Sequence, residues 1–202
     1  MPLGTALGKL VAQLSPSGAD RIYITYGGNA RELPNTDPIT RAVLLGFIST
    51  GKAQDVNNVN VRSVAQSLGI TVEEKKSDEP VTFNEWIHVQ LFSGDKKLIS
   101  AGGTFFGSPN NPRIVRLYSQ PVEIPVSGVL LLLNNKDRPG IVGHLGTLLA
   151  KHGVNIGNMS LSRDTAGGSA LTVLHVDSVP PQAVLDELQK DHDISNVKVI
   201  KL

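Results

Sequence analysis

Residues 129–156 read VLLLLNNKDRPGIVGHLGTLLAKHGVNI, and they decide the architecture of the C-terminal part of the chain. Val129 to Leu133 is an unbroken apolar run of the length of a buried strand. Pro139 and Gly140 then break the pattern. From Ile141 the period becomes helical: Ile141, Leu145, Leu148 and Leu149 share one face, and Gly153 ends the helix that runs to Lys151. Downstream, Asn155 to Ser162 reads as a strand and Thr165-Ala166-Gly167-Gly168 as a hairpin turn. Ala170 to Val176 is the partner strand, Pro181 to Lys190 a second helix and Val197 to Leu202 a last strand. The order is βαββαβ, a split arrangement with one sheet covered by two helices.

Working back from Val129, the punctuation changes. Val122 to Val126 is flanked by Pro121 and interrupted by Pro125, which suits an edge strand or a linker. The domain boundary is expected at Pro125, giving a first domain over 1–125 and a second over 126–202. In the first domain, Leu3, Ala6, Leu7, Leu10, Val11 and Leu14 fall on one helical face, and Ser15-Pro16-Ser17-Gly18 breaks it. Arg21 to Tyr26 alternates as a strand, and Gly27-Gly28-Asn29 turns the chain. Thr36 is placed to cap a helix from Pro38 to Ser49 that buries Ile39, Val43 and Phe47. Asn60 is placed to cap another, with Val61, Val64, Ala65 and Leu68 inward and Gly69 as its stop. Ile70 to Glu74 is expected as a strand, with Lys75 to Glu79 as a loop. Phe83 to Phe92, Lys97 to Phe106 and Arg113 to Leu117 are further strands. The fold class expected is α+β: a mixed α/β domain followed by a ferredoxin-like βαββαβ domain.

Bulk properties exclude several functions. The chain has 202 residues, 40% of them hydrophobic, and a formal charge of +1, so it has no basic stripe for nucleic acid. Cysteine is absent, which excludes disulfides and thiolate chemistry. The first residues do not read as a signal peptide, and the longest apolar run cannot cross a bilayer. A cytoplasmic protein without nucleic-acid or membrane partners is expected. His88, His144, His152, His175 and His192 have no metal spacing, and His144 is expected to face solvent. Asp164, Asp186, Glu187, Asp191 and Asp193 read as solvated faces. Trp86 is expected to pack on a strand face, with a groove position as the alternative.

The chemistry concentrates in Asn135-Lys136-Asp137-Arg138-Pro139-Gly140. It joins a strand to a helix whose first amides lack internal partners and attract an anion. Gly140 lets a ligand approach the backbone, Asp137 can accept from an ammonium group, and Asn135 can donate and accept. These groups suit an α-amino acid. The alternative is a plain turn in which Asp137 caps the helix.

Asp137-Arg138-Pro139-Gly140, a helix, then Gly153-Val154-Asn155-Ile156 inside βαββαβ, resembles an ACT domain. Upstream, Gly8-Lys9-Leu10, Gln13-Leu14, Val56-Asn57-Asn58-Val59-Asn60, Leu68-Gly69-Ile70, Gly103-Thr104-Phe105-Phe106-Gly107 and Arg113-Ile114-Val115 are similar to the regulatory tail of long-form D-3-phosphoglycerate dehydrogenases. In that family an intervening, allosteric substrate-binding domain precedes a terminal ACT domain. The resemblance covers essentially all of the chain. It implies that L-serine binds between paired ACT domains for feedback control of L-serine biosynthesis. The effector would touch Asn135, Lys136, Asp137, Arg138, Pro139 and Gly140 of one subunit, and Asn155 and Ile156 of the other. It also implies an anion site at Arg113, for which Asn57, Asn58 and Asn60 would form a second wall; simple capping of a helix by these asparagines is an equal alternative. The family often has His or Tyr where this chain has Asn135, and a basic residue where it has Pro125.

No Gly-x-Gly-x-x-Gly lies between a strand and a helix, and no Arg/Glu/His set stands as in that family's active site. The chain is therefore expected to hold no catalytic residues, metal or cofactor, with NAD confined to a catalytic domain elsewhere in a homo-oligomeric oxidoreductase. Rival readings are a free-standing amino-acid sensor subunit and the regulatory region of an L-serine dehydratase.

Overall fold

The computed structural model describes residues 2–15, 18–51, 55–80, 82–107 and 111–202. The breaker expected at Pro16-Ser17 lies outside the described residues. The chain divides into two compact units, the first ending at Ser119 and the second running from Gln120 to Leu202.

The first unit contains α1 (Pro2–Leu14), β1 (Arg21–Gly28), α2 (Asp37–Ser49), α3 (Val61–Ser67), β2 (Thr71–Lys76), β3 (Glu85–Ser93), β4 (Lys96–Phe105) and β5 (Pro112–Leu117). Its strands lie in the order β2-β1-β3-β4-β5. β2 runs parallel to β1, and the other neighbours are antiparallel. Alternation in β1 sends Ile22, Ile24 and Tyr26 to a fully buried face. The helices cover that face: Tyr26 shares a 2.7 Å hydrogen bond with Thr40 of α2, and Leu3 of α1 packs on Gly103 of β4.

α1 and α2 cross with their backbones almost touching. A Cβ on Gly8 would lie 2.0 Å from the Val43 carbonyl oxygen, and one on Gly46 would lie 2.1 Å from that of Thr5. Only glycine permits this approach.

Several local expectations are corrected. Thr36 precedes α2 but makes no side-chain cap; its hydroxyl donates to Glu74 at 3.3 Å. Asp37 takes the strong contacts instead, accepting from Arg41 Nε at 2.5 Å and Arg62 Nε at 2.6 Å. Phe47 is only half-buried. Asn60 does not cap α3 with its side chain either. Leu68 is 55% exposed and not inward, because α3 is short and only its Val61–Ala65 stripe is buried. Gly27 and Gly28 continue β1, and Lys75 and Lys76 continue β2, since ladder pairing to β3 and β1 extends through them.

The second unit contains β6 (Gln120–Pro125), β7 (Val129–Lys136), α4 (Ile141–Lys151), β8 (Ile156–Arg163), β9 (Ser169–Val176), α5 (Gln182–Lys190) and β10 (Ile194–Lys201). The antiparallel sheet has the order β10-β7-β9-β8. Leu131, Leu133 and Leu174 from the strands meet Ile141, Leu145, Leu148 and Leu149 of α4, with Val184 and Leu188 of α5. Within this unit β6 meets β8: the Glu123 amide donates to Ser160 Oγ at 3.2 Å, and Ser162 Oγ donates to Gln120 Oε1 at 2.9 Å. β7 outlasts its apolar run by three polar residues, because Asn134, Asn135 and Lys136 still pair with β9.

Substituting Gly8 by alanine drives a methyl group into the Val43 carbonyl. It is expected to cost about 1–3 kcal/mol, as overpacking does. Urea unfolding of the variant checks this.

Candidate functional site

The segment between β7 and α4 is held open by its own residues. Gly140 is the N-cap, with φ of 89°, a left-handed conformation that suits glycine. No side chain caps α4. The Ile141 amide reaches back to the Arg138 carbonyl at 3.4 Å, and the helical ladder begins with the His144 amide on the Gly140 carbonyl at 2.8 Å. Among the described residues, the amides of Val142 and Gly143 have no acceptor. Pro139, Gly140, Val142 and Gly143 are exposed around them. A Cβ on Gly140 or Gly143 would meet nothing within 4 Å, so the space over this turn is clear.

The side chains expected to bind a ligand are mostly committed to holding this shape. Asn135 is not on the loop surface: it is 3% exposed at the end of β7. Its Oδ1 accepts from Thr172 Oγ1 at 2.7 Å, and its Nδ2 donates to the Lys136 carbonyl at 3.0 Å. Asp137 does not cap α4. Its Oδ2 accepts from Arg163 Nη1 at 2.7 Å and from the Gly167 amide at 3.0 Å, tying the loop to the β8–β9 hairpin. The Gly167 amide, then Arg163, hold the Asp137 carboxyl below its ordinary range. Its Oδ1 makes no hydrogen bond among the described residues, so one carboxylate oxygen is available. Arg138 turns away from the helix start. Its Nε donates to Asp193 at 2.7 Å and its Nη2 to Asp191 at 3.2 Å, pinning the loop to the α5–β10 connection. Lys136 ends β7, exposed, with its amide on the Asp193 carbonyl at 2.9 Å.

Asp191 and Asp193 are therefore not solvated bystanders. His144 is likewise half-buried, with Nε2 3.7 Å from Asp191 Oδ2. Spacing could not expose these partners. The topology could have: in an antiparallel sheet the end of β7 must lie beside the start of β9 and the start of β10, hence beside Gly167 and Asp193.

Asn155 and Ile156 are not brought to this loop within one chain. Ile156 and Val129 both pair with Val176, whereas Lys136 pairs with Ser169 at the other end of β9. That is roughly 23 Å of strand. Asn155 is exposed and donates to Asp177 at 2.8 Å.

The expected anion site is also taken apart. Arg113 lies on β5, while Asn57, Asn58 and Asn60 lead into α3, which precedes the edge strand β2. β1, β3 and β4 intervene, about 19 Å of sheet from β2 to β5. Asn57 and Asn60 fold on one another: Asn57 Oδ1 accepts from the Val59 and Asn60 amides, and Asn60 Oδ1 from that of Asn57. Arg41 Nη1 closes the turn on the Asn58 carbonyl at 2.7 Å. These asparagines shape a turn and form no second wall to Arg113.

Comparison with known proteins accords with this geometry. Residues 1–118 match the D-3-phosphoglycerate dehydrogenase intervening domain model. The chain belongs to this family. Residues 129–193 match the ACT domain model, over the sheet and loop just described. The D-3-phosphoglycerate dehydrogenase of Synechocystis is 30% identical across the whole chain, which covers 36% of that protein. That of Methanocaldococcus jannaschii is 31% identical, again across the whole chain and 38% of the relative. That of Bacillus subtilis is 30% identical over 97% of the chain and 37% of the relative. The chain thus spans a little over a third of the length of these relatives. Among the described residues no group of His, Asp and Glu could hold a metal ion, and no helix is long and apolar enough to cross a membrane.

Two outcomes are expected. Thr172→Val leaves Asn135 Oδ1 buried and unmet, costing about 1–3 kcal/mol in urea unfolding. The Asp137 carboxyl is lowered in the folded chain, so its contribution is present above the ordinary carboxylate range and lost as pH falls through it. The stability gap between the unsubstituted chain and Asp137→Asn should therefore be open at pH 7 and narrow below about pH 4.

Proposed function

We propose that this chain is the amino-acid-sensing regulatory region of a D-3-phosphoglycerate dehydrogenase, and that L-serine bound at an ACT–ACT seam carries feedback inhibition of L-serine biosynthesis. The observation that carries the reading is the start of α4. Open amides at Val142 and Gly143, beneath exposed Gly140, suit a carboxylate. The free Oδ1 of Asp137, held ionised, suits the ammonium group. Lys136, Arg138 and Pro139 shape this half-site. Asn135 supports it from below.

A second copy supplies the other half. Asn155 and Ile156 stand at the far end of the sheet from their own loop, which fits a role across a seam between copies. Regulation follows if serine binds two arrangements of the assembly unequally. NAD chemistry belongs to a catalytic domain beyond these residues, and the assembly is a cytoplasmic homo-oligomer. The division of labour is an anion-responsive region over 1–125, with Arg113 on β5 as its basic contact, and an effector-binding region over 126–202.

Calorimetry with L-serine tests the proposal. Saturable heat is expected, with a rise in melting temperature. Neither effect at millimolar serine would sink it. Asn155→Ala should weaken serine binding about tenfold, the size of one lost charge-assisted hydrogen bond, and leave the melting temperature of the free chain unchanged.

A further inference from the structure

The face of the first unit's sheet that α1 and α2 leave free carries the single tryptophan of the sequence. Trp86 belongs to β3, and its ring lies down over the next strand because that strand has glycine there. A Cβ on Gly102 would sit 2.0 Å from Trp86 Cη2. Gly27 on β1 gives clearance on the other side, its Cβ position 3.2 Å from Cδ1. Phe83 stacks on Trp86 with centroids 5.9 Å apart and planes at 14°, and His88 stacks at 5.5 Å and 21°. The Arg116 guanidinium carbon stands 5.9 Å from the Trp86 ring. A cavity of about 290 Å³ opens among Glu79, Thr82, Phe83, Trp86, His88 and Arg116.

The fold leaves the polar groups here unused. Among the described residues, the Arg116 side chain has no ion pair and no hydrogen bond; it meets the Trp86 ring and, through its charge, His88. Nε2 of His88 is buried without a hydrogen-bond partner. Burial, then Arg116 and Lys97, push the His88 pKa down to about 4, so the imidazole is neutral at pH 7. The positive charge facing the cavity is therefore that of Arg116, with Lys97 nearby. A plain hydrophobic cluster would close over its rings, and a plain solvated face would leave no orphaned nitrogen beneath them.

We propose that this cavity binds a small organic acid with a planar body, its carboxylate paired with Arg116 and its body stacked against Phe83 and Trp86. A guanidinium fork matches a carboxylate in two parallel hydrogen bonds. Aromatic faces reward a flat partner in offset contact. The volume lies at the small end of ligand pockets and fits one ring with one acid group. Glu79 at the rim opposes a second negative charge, which selects a monocarboxylate over a phosphate dianion. None of Arg113, Asn57, Asn58 and Asn60 lines this cavity, and the β7–α4 loop belongs to the other unit.

Trp86 is its own reporter. Benzoate titrated into the full chain should change its fluorescence saturably, and cyclohexanecarboxylate and inorganic phosphate should each require markedly higher concentrations. Arg116→Met keeps the exposed stem and removes the charge; it should weaken benzoate about tenfold with an unchanged circular dichroism spectrum. Glu79→Gln should improve phosphate binding. No saturable change with millimolar benzoate, equal affinity in Arg116→Met, or phosphate binding as tightly as benzoate would each overturn the proposal.

Discussion

Backbone amides at the start of a helix must be answered by something, and at α4 the fold declines to answer them. Among the described residues the Val142 and Gly143 amides have no acceptor, and the side chains of the loop before them are turned to other partners. Asp137 is drawn to the hairpin by Gly167 and Arg163, Arg138 to Asp191 and Asp193, and Asn135 to Thr172. These contacts make one arrangement. They fix the loop from three sides of the sheet end and keep capping groups away from the helix. The cost of rigidity is met by the scaffold, so an anion arriving at α4 finds donors already in place.

The first unit uses glycine in the same spirit. Gly8 and Gly46 let α1 and α2 cross at backbone distance, which keeps the helical layer thin and on one face. Gly102 and Gly27 do the equivalent on the other face, where the missing side chains make room for a ring. In both places the fold is shaped by atoms left out.

Much of the second unit was legible in the sequence. The α4 limits and its inward residues Ile141, Leu145, Leu148 and Leu149 follow from period alone, because a two-layer unit leaves one stripe to bury. The fate of Asn135 was not legible. A polar residue after an apolar run reads as the start of a loop, yet ladder pairing carried β7 through it and Thr172 satisfied it underneath. The partners of Arg138 were not legible for the complementary reason: Asp191 and Asp193 lie more than fifty residues on, and only the returning chain brings them to it. In the first unit, Thr36 and Asn60 had the right chemistry for caps. Tertiary partners outbid the helix for Thr36, and a local turn outbid it for Asn60. The anion site that the resemblance implied joined the asparagine run to Arg113, and sequence alone says nothing of which strand of the sheet each will reach.

The length of β8 has a consequence for how a site built on it must behave. Asn155 and the α4 start sit at opposite ends of the same sheet, and no local rearrangement short of unfolding closes that span. Any ligand that needs both groups must recruit them from two copies. Occupancy would then scale with the square of chain concentration at high dilution, and sensitivity to the ligand would be set by how much protein is present as well as by how much ligand.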